Sequence, residues 1–299
     1  MQTTPEPHLA NGSNLITTFH LAQKAPLILK RQSSSVETVA PSSSGDDKSA
    51  LLCTEQLAAR FGMTDERIIG LRGMYEEAVA ENPTRLEECL QTYDLALSEN
   101  PPVLKRRIAL LRSLSRPVDA ISSLINLLDA VPTDAEAWCE LADLYHSQGM
   151  SSQAAFCLEE ALLIVPNSWN IHAFLGEILY SSACASETTD CSQLLEVSIH
   201  HYSRSIELCT DYLRGFYGLV SATSLLGRNR RLMDHSRDSS PAQASLLTDK
   251  LLDELTLFAR SRLDEIVRSR SSDHQAWKDN QGELIAAKEL LHRLDKSPL

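Results

Sequence analysis

Between Ala135 and Pro166 the apolar positions recur at helical spacing. Trp138, Leu141, Ala142 and Tyr145 fall at offsets of three, four and seven, which gathers them on one face of a first helix. Ala154, Leu158 and Ala161 form the matching face of a second helix, and Pro166 then stops it. These eight positions are the predicted core of a helical hairpin, with Ala142 and Ala154 small where the helices approach and Trp138 and Tyr145 filling the flanks. Similar stripes run on either side. Upstream, Leu51, Leu52, Leu57, Ala58 and Phe61 predict the second helix of an incomplete pair. Ile68, Leu71 and Tyr75 then pair with Cys89, Tyr93 and Ala96 across a widened turn at Glu81 to Arg85, and Leu110, Leu111 and Leu114 pair with Ala120, Leu124 and Leu127. Downstream, His172, Leu175, Gly176 and Leu179 lead into a polar insertion at Tyr180 to Ser192 and a helix through Ser198, Tyr202 and Ser205. A further helix runs through Phe216, Leu219 and Val220. Two closing helices follow Leu252, Leu255, Ala259, Leu263 and Ile266, and then Trp277, Leu284, Ala287, Leu291 and Leu294.

The best hairpin fits a known repeat of about 34 residues, the tetratricopeptide pattern, which places a Trp, small residues, a Tyr and a closing Pro at these spacings. The fold class expected is all-α, a tetratricopeptide-repeat superhelix (an α-α solenoid) with terminal capping helices. The organisation expected is an N-terminal arm with a short helix (1–30), a Ser-rich flexible tether (31–48), the repeat array (49–227), a mobile polar loop (228–244) and C-terminal capping helices (245–299). Within the arm, Asn14 to Lys24 reads as a short helix, followed by Pro26 and an apolar patch of Leu27, Ile28 and Leu29 that suits docking. The tether is too rich in Ser to bury enough apolar surface to offset its ordering.

Composition narrows the function. Apolar residues make up 43% of the chain and aromatics only 5%, a balance that suits stacked helices. No run approaches the roughly 18 apolar residues that cross a bilayer, and the first residues lack the basic-then-apolar pattern of a secretory leader, so a soluble protein without a direct membrane span is expected. The net charge of -12 argues against nucleic acid, whose phosphates call for clustered Lys and Arg. Seven cysteines include no C-x-x-C pair and read as small hydrophobes in a reducing compartment.

Candidate chemistry is sparse. There is no phosphate-cradling glycine loop, no H-E-x-x-H and no G-x-S-x-G, so no catalytic residue, no cofactor and no metal site is expected, and the chain is not read as an enzyme. His200, His201 and Cys209 invite a zinc reading, but neighbouring histidines on a helix point to different sides. The more informative positions are those that face the hollow side of such an array. In the best repeat they are Glu136, Cys139, Asp143, His146 and Ser147, and in the next Asn170, Ala173, Glu177, Tyr180 and Ser181. This predicted partner-binding groove is neutral to acidic. It favours a basic or polar segment over the acidic chaperone tails that other repeat adaptors grip.

Several segments together resemble one family. ALLCTEQLAARFG (50–62), LRGMYEEA (71–78), TYDLALSENP (92–101), KRRIALLRSL (105–114), EAWCELADLYHSQGMSSQAAFCLEEALLIVPN (136–167) and RGFYGLVSA (214–222) are similar, in that order, to subunit 2 of the endoplasmic reticulum membrane protein complex, fungal type. The resemblance implies a non-catalytic scaffold on the cytosolic face of a membrane insertase, supporting insertion of tail-anchored and multipass proteins. It implies cytoplasmic localisation, with peripheral attachment to the endoplasmic reticulum membrane through partner subunits. The partners implied are the membrane-embedded and cytosolic subunits of that complex, including an Oxa1-like insertase subunit and a subunit whose cytosolic tail lies in the groove. A free cytosolic tetratricopeptide-repeat adaptor or co-chaperone is the alternative.

Overall fold

The computed structural model describes residues 47–80, 82–96, 101–185, 191–235, 247–272 and 281–296. The arm at 1–30, most of the tether, Glu81, Trp277 and the centres of two polar segments lie outside them. Twelve helices and no strand occur among the described residues. The chain divides into two compact units, Met1–Leu127 and Leu128–Leu299.

In the first unit α1 (Asp47–Phe61) packs on α2 (Glu66–Val79), α2 on α3 (Pro83–Ala96) and α4 (Pro101–Ser113), and α3 on α4. α5 (Pro117–Ala130) follows. Three of these helices open on proline, whose missing amide falls where a helix has no acceptor for it. The expected stripe on α1 is corrected here. Ala50 and Ala58, eight residues apart, are the buried contacts, whereas Leu51, Leu52 and Phe61 are exposed, because small side chains let α1 approach its neighbour closely. The connection after α2 is also shorter than expected. α2 ends at Val79 and α3 starts at Pro83, so Pro83 and Arg85 belong to the helix rather than to a turn.

A polar clasp ties three helices of this unit. The Tyr93 hydroxyl on α3 donates to Glu77 Oε1 on α2 at 2.6 Å, and the Arg106 guanidinium on α4 closes on the same carboxylate through both Nε, at 2.9 Å, and Nη2. Tyr93 reaches Glu77 by crossing Gly73, where any Cβ would overlap its ring.

The second unit contains the predicted hairpin, α6 (Ala135–Ser147) and α7 (Ser151–Ile164). Leu141, Ala142, Ala154, Leu158 and Ala161 are buried at 3% exposure or less, Trp138 and Tyr145 are half-buried, and Pro166 lies exposed just beyond the hairpin. Each buried Leu contributes about 2 kcal/mol of transfer free energy. Asp134 caps α6 by accepting the Ala137 amide at 3.2 Å. Gly149, at φ +75°, makes the left-handed turn into α7.

The stack continues through α8 (Trp169–Ala185), α9 (Cys191–Leu208), α10 (Leu213–His235), α11 (Asp249–Ser272) and α12 (Gln281–Lys296). Each packs on the next, and α8 also touches α10 and α10 touches α12, so these three alternate helices lie side by side. The repeat period is visible in one hydrogen bond made twice. The Trp138 indole donates to the Pro132 carbonyl at 2.9 Å, and 34 residues later the His172 Nε2 bonds the Pro166 carbonyl at 3.1 Å.

Two segments read as loops are helical in part. α8 runs to Ala185 with Ile178 and Ala183 buried, so the insertion narrows to residues 186–190, which are outside the described residues. α10 runs eight residues past Gly227, into the segment read as a mobile loop from 228. Arg230 explains the extension, since it pairs with Glu196 at 3.0 Å and Asp249 at 2.7 Å and also donates to the Leu247 carbonyl.

Candidate partner-binding groove

The spacing of three and four that lays Asn170, Ala173 and Glu177 along one side of α8 recurs at Arg214, Tyr217 and Ser221 on α10. On α12 Glu283 and Ala286 repeat its first step. Because α8, α10 and α12 lie side by side, these rows meet in a hollow of about 380 Å³. Its lining includes the predicted Asn170, Ala173, Glu177 and Tyr180 together with Ser181. Phe174, Tyr202, Tyr212 and Tyr217 complete an aromatic wall, so the hollow holds four of the seven tyrosines in the chain.

The residues predicted on α6 have a different placement. His146 stacks edge-on against Phe174, a residue of the lining, with ring centroids 6.2 Å apart. Glu136, Cys139 and Asp143 are not in the lining of the hollow. Burial, reinforced by Glu136, pushes the Cys139 thiol up to about 12, so it stays protonated.

Phe174, Tyr202, Tyr212, Tyr217, Arg214 and Glu283 were not among the residues picked from sequence. For Tyr217 and Arg214 the signal was available, since carrying the α8 register into the helix at Leu213 selects them. Tyr202 had no such signal. It comes from α9, a second helix, and reaches the hollow only because two glycines clear its path. A Cβ on Gly176 would lie 3.2 Å from the Tyr202 ring, and one on Gly218 would overlap it.

The surface expected was neutral to acidic, and the charged groups of the hollow include one ion pair. Glu177 pairs with Arg214 at 3.5 Å across the hollow, and both side chains are substantially exposed, so the pair adds at most about 1 kcal/mol but cancels local charge. Burial pushes the Tyr180 phenol up to about 12 and raises Tyr202 and Tyr212 as well, so all three are neutral hydroxyls at physiological pH. Such a surface offers flat apolar faces with hydrogen-bonding tips, which suits a polypeptide segment.

Among the described residues no three His, Cys, Asp or Glu side chains are grouped to hold an ion. Cys209 Sγ faces the Asp211 carboxylate at 3.4 Å, and His201 turns instead to His172, with Nδ1 to Nδ1 at 3.1 Å and the rings stacked. The bond from His172 Nε2 to the Pro166 carbonyl assigns the tautomers. His172 carries its proton on Nε2, so its bare Nδ1 accepts from the Nδ1–H of His201. Burial and the facing His172 lower His201 to about 4, and burial lowers His172 too, keeping both rings neutral.

A family profile described as the EMC2 TPR-like repeat domain matches residues 66–196. The TPR repeat protein oca3 of Schizosaccharomyces pombe is 33% identical over 72% of this chain and 72% of its own length. ER membrane protein complex subunit 2-B of Xenopus laevis is 27% identical over 74% of this chain and 71% of its own. Subunit 2 of the same complex in Saccharomyces cerevisiae is 35% identical over 37% and 38% of the two chains. Among solved structures, a crystal structure of MamA protein matches with a TM-score of 0.51 at 16% identity, covering 72% of this chain and 98% of that one, a likeness of fold alone. By its repeat architecture and by these relatives, the chain belongs to the tetratricopeptide-like family of ER membrane protein complex subunit 2.

Proposed function

We propose that this chain is a non-catalytic scaffold subunit of the endoplasmic reticulum membrane protein complex. It sits on the cytosolic face, attached through partner subunits, and supports the insertion of tail-anchored and multipass membrane proteins. The observation that carries the reading is the tyrosine-lined hollow of α8, α10 and α12 in a chain whose relatives bear that subunit's name. A hollow walled by Phe174, Tyr180, Tyr212 and Tyr217 presents rigid aromatic anchors of the kind that dominate protein interfaces. Its occupant is a cytosolic segment of a membrane-embedded subunit, the tail-bearing subunit or the Oxa1-like insertase subunit. Among the described residues no helix is long and apolar enough to cross a membrane, which agrees with attachment through others.

Purification of the tagged chain from membranes in mild detergent tests this. Several multispanning proteins are expected to accompany it, and alkaline carbonate is expected to release it from the bilayer. Tyr217→Ala removes the most solvent-facing ring of the wall. It is expected to cost about 2 kcal/mol of partner affinity, about 30-fold, with thermal unfolding unchanged. Recovery of the chain alone from the soluble fraction would sink the reading and favour a free adaptor.

A further inference from the structure

The hollow of α8, α10 and α12 carries its charges unevenly. Its lining sets two carboxylates, Glu177 and Glu283, against a single guanidinium, that of Arg214. Arg214 is engaged with Glu177 at 3.5 Å, whereas the exposed Glu283 on α12 has no cation within ion-pair distance among the described residues. The two acids still bear on one point. Burial raises the Tyr212 phenol, and the charges of Glu283 and Glu177 add to that rise against the opposing Arg214. A guest bringing one positive charge to this place would make the lining neutral.

A second observation concerns hydrogen bonding. Tyr202 is only 4% exposed, yet its hydroxyl has no partner among the described residues. The hydroxyl lies where a Cβ on Gly218, itself part of the lining, would come within 2.6 Å of it. A polar group set this deep is costly to leave unpaired, so the hollow is short of a hydrogen-bonding group that a guest can supply. The Tyr202 phenol stays protonated, and its oxygen keeps lone pairs for an N–H. Charge also links the groups along the hollow, since Glu283 acts on Tyr212 and Tyr212 acts on Tyr202.

The third feature is the ring of Tyr217, 37% exposed on the wall. A positive charge, several N–H donors and a flat face that stacks on an aromatic ring are combined in the guanidinium group. The ammonium of lysine is compact and strongly hydrated, and it has no face to stack. We propose that the hollow is an arginine pocket, in which the segment it receives inserts one arginine side chain that pairs with Glu283, donates to the Tyr202 hydroxyl and lies against Tyr217. The inference rests on the scaffold reading for its occupant being a polypeptide of a partner subunit.

Titration of the full chain with capped tripeptides, followed through the tyrosine ring signals by NMR, tests it. Acetyl-Gly-Arg-Gly-amide is expected to bind about tenfold more tightly than its near-isosteric citrulline counterpart, because only the arginine peptide carries a charge for Glu283. Glu283→Gln is expected to abolish that preference with thermal unfolding unchanged, since the side chain is exposed. Tyr202→Phe is expected to weaken the arginine peptide about threefold. Equal binding of the two peptides overturns the proposal, as does a preference that survives Glu283→Gln or the lack of saturable binding below about 10 mM. Tetramethylammonium offers the rings a charge but no N–H. If it binds as tightly as the arginine peptide, the hollow belongs to a quaternary ammonium group and the arginine pocket falls equally. The scaffold reading is decided separately, by co-purification of multispanning proteins from membranes, so the failure of one is distinguishable from the failure of the other.

Discussion

Tyr93 in the first unit and Tyr202 in the second each press their ring against a glycine where a Cβ would overlap it, Gly73 in one case and Gly218 in the other. Beyond that shared packing they diverge. The Tyr93 hydroxyl is consumed inside the protein, donating to Glu77, which Arg106 also grips. Tyr202 instead lines the hollow, and among the described residues no hydrogen bond holds its hydroxyl. One packing device therefore serves two ends. Where the hydroxyl meets a paired carboxylate it locks three helices together, and in the second unit the ring becomes part of the lining of the hollow.

The sharpest way to break this comparison is to remove the carboxylate. Glu77→Ala leaves the Arg106 guanidinium and the Tyr93 hydroxyl without their partner in a site where the Glu77 side chain is only 8% exposed. A loss of about 3 kcal/mol is expected, read by urea denaturation. A loss under about 1 kcal/mol would show that the clasp holds little. A gentler pair of substitutions separates the two tyrosines directly. Tyr93→Phe should cost about 1.5 kcal/mol because it deletes a bond to a charged group, while Tyr202→Phe should stay within about 0.5 kcal/mol. Equal costs would mean the two hydroxyls do the same job.

Acidification should produce the smallest effect and should touch the second unit alone. The folded-state pKa values of His172 and His201 lie below the ordinary histidine value of 6.5, with His201 at about 4. The unfolded chain therefore binds more protons than the folded one between about pH 6.5 and pH 4. Stability is full above pH 6.5 and declines as pH falls through that window. The nearby charged groups offer no relief, since His200 and Arg204 both disfavour another positive charge at this site. Melting temperature followed from pH 7 to pH 5 should fall for wild type, and His201→Asn should flatten the slope. An unchanged slope in that variant would assign the effect elsewhere.

Much of the architecture was legible because hairpin packing is written in local spacing. Ala142, Ala154, Leu158 and Ala161 are all fully buried, where their periodicity put them. What escaped depends on partners distant in the chain. The helical turns from Arg228 to His235 look like a polar loop until Arg230 is seen to bridge Glu196 and Asp249, 34 residues before it and 19 after. α1 misled for another reason, since leucines outrank alanines in any hydrophobicity pattern, yet close approach favours the alanines. In the hollow, the α8 row was readable from repeat position alone. The aromatic wall was not fully readable, because Tyr202 enters from the other helical layer through a gap that only Gly176 and Gly218 together create.

That gap also has a mechanical meaning. With bare backbone on α8 below and on α10 above, one phenol ring acts as a shim between successive repeats, and its thickness dictates how far apart they stand. The width of the hollow is thus gauged by a residue rooted on α9, outside the row of helices that form its floor, so it is adjustable by mutation without altering α8, α10 or α12.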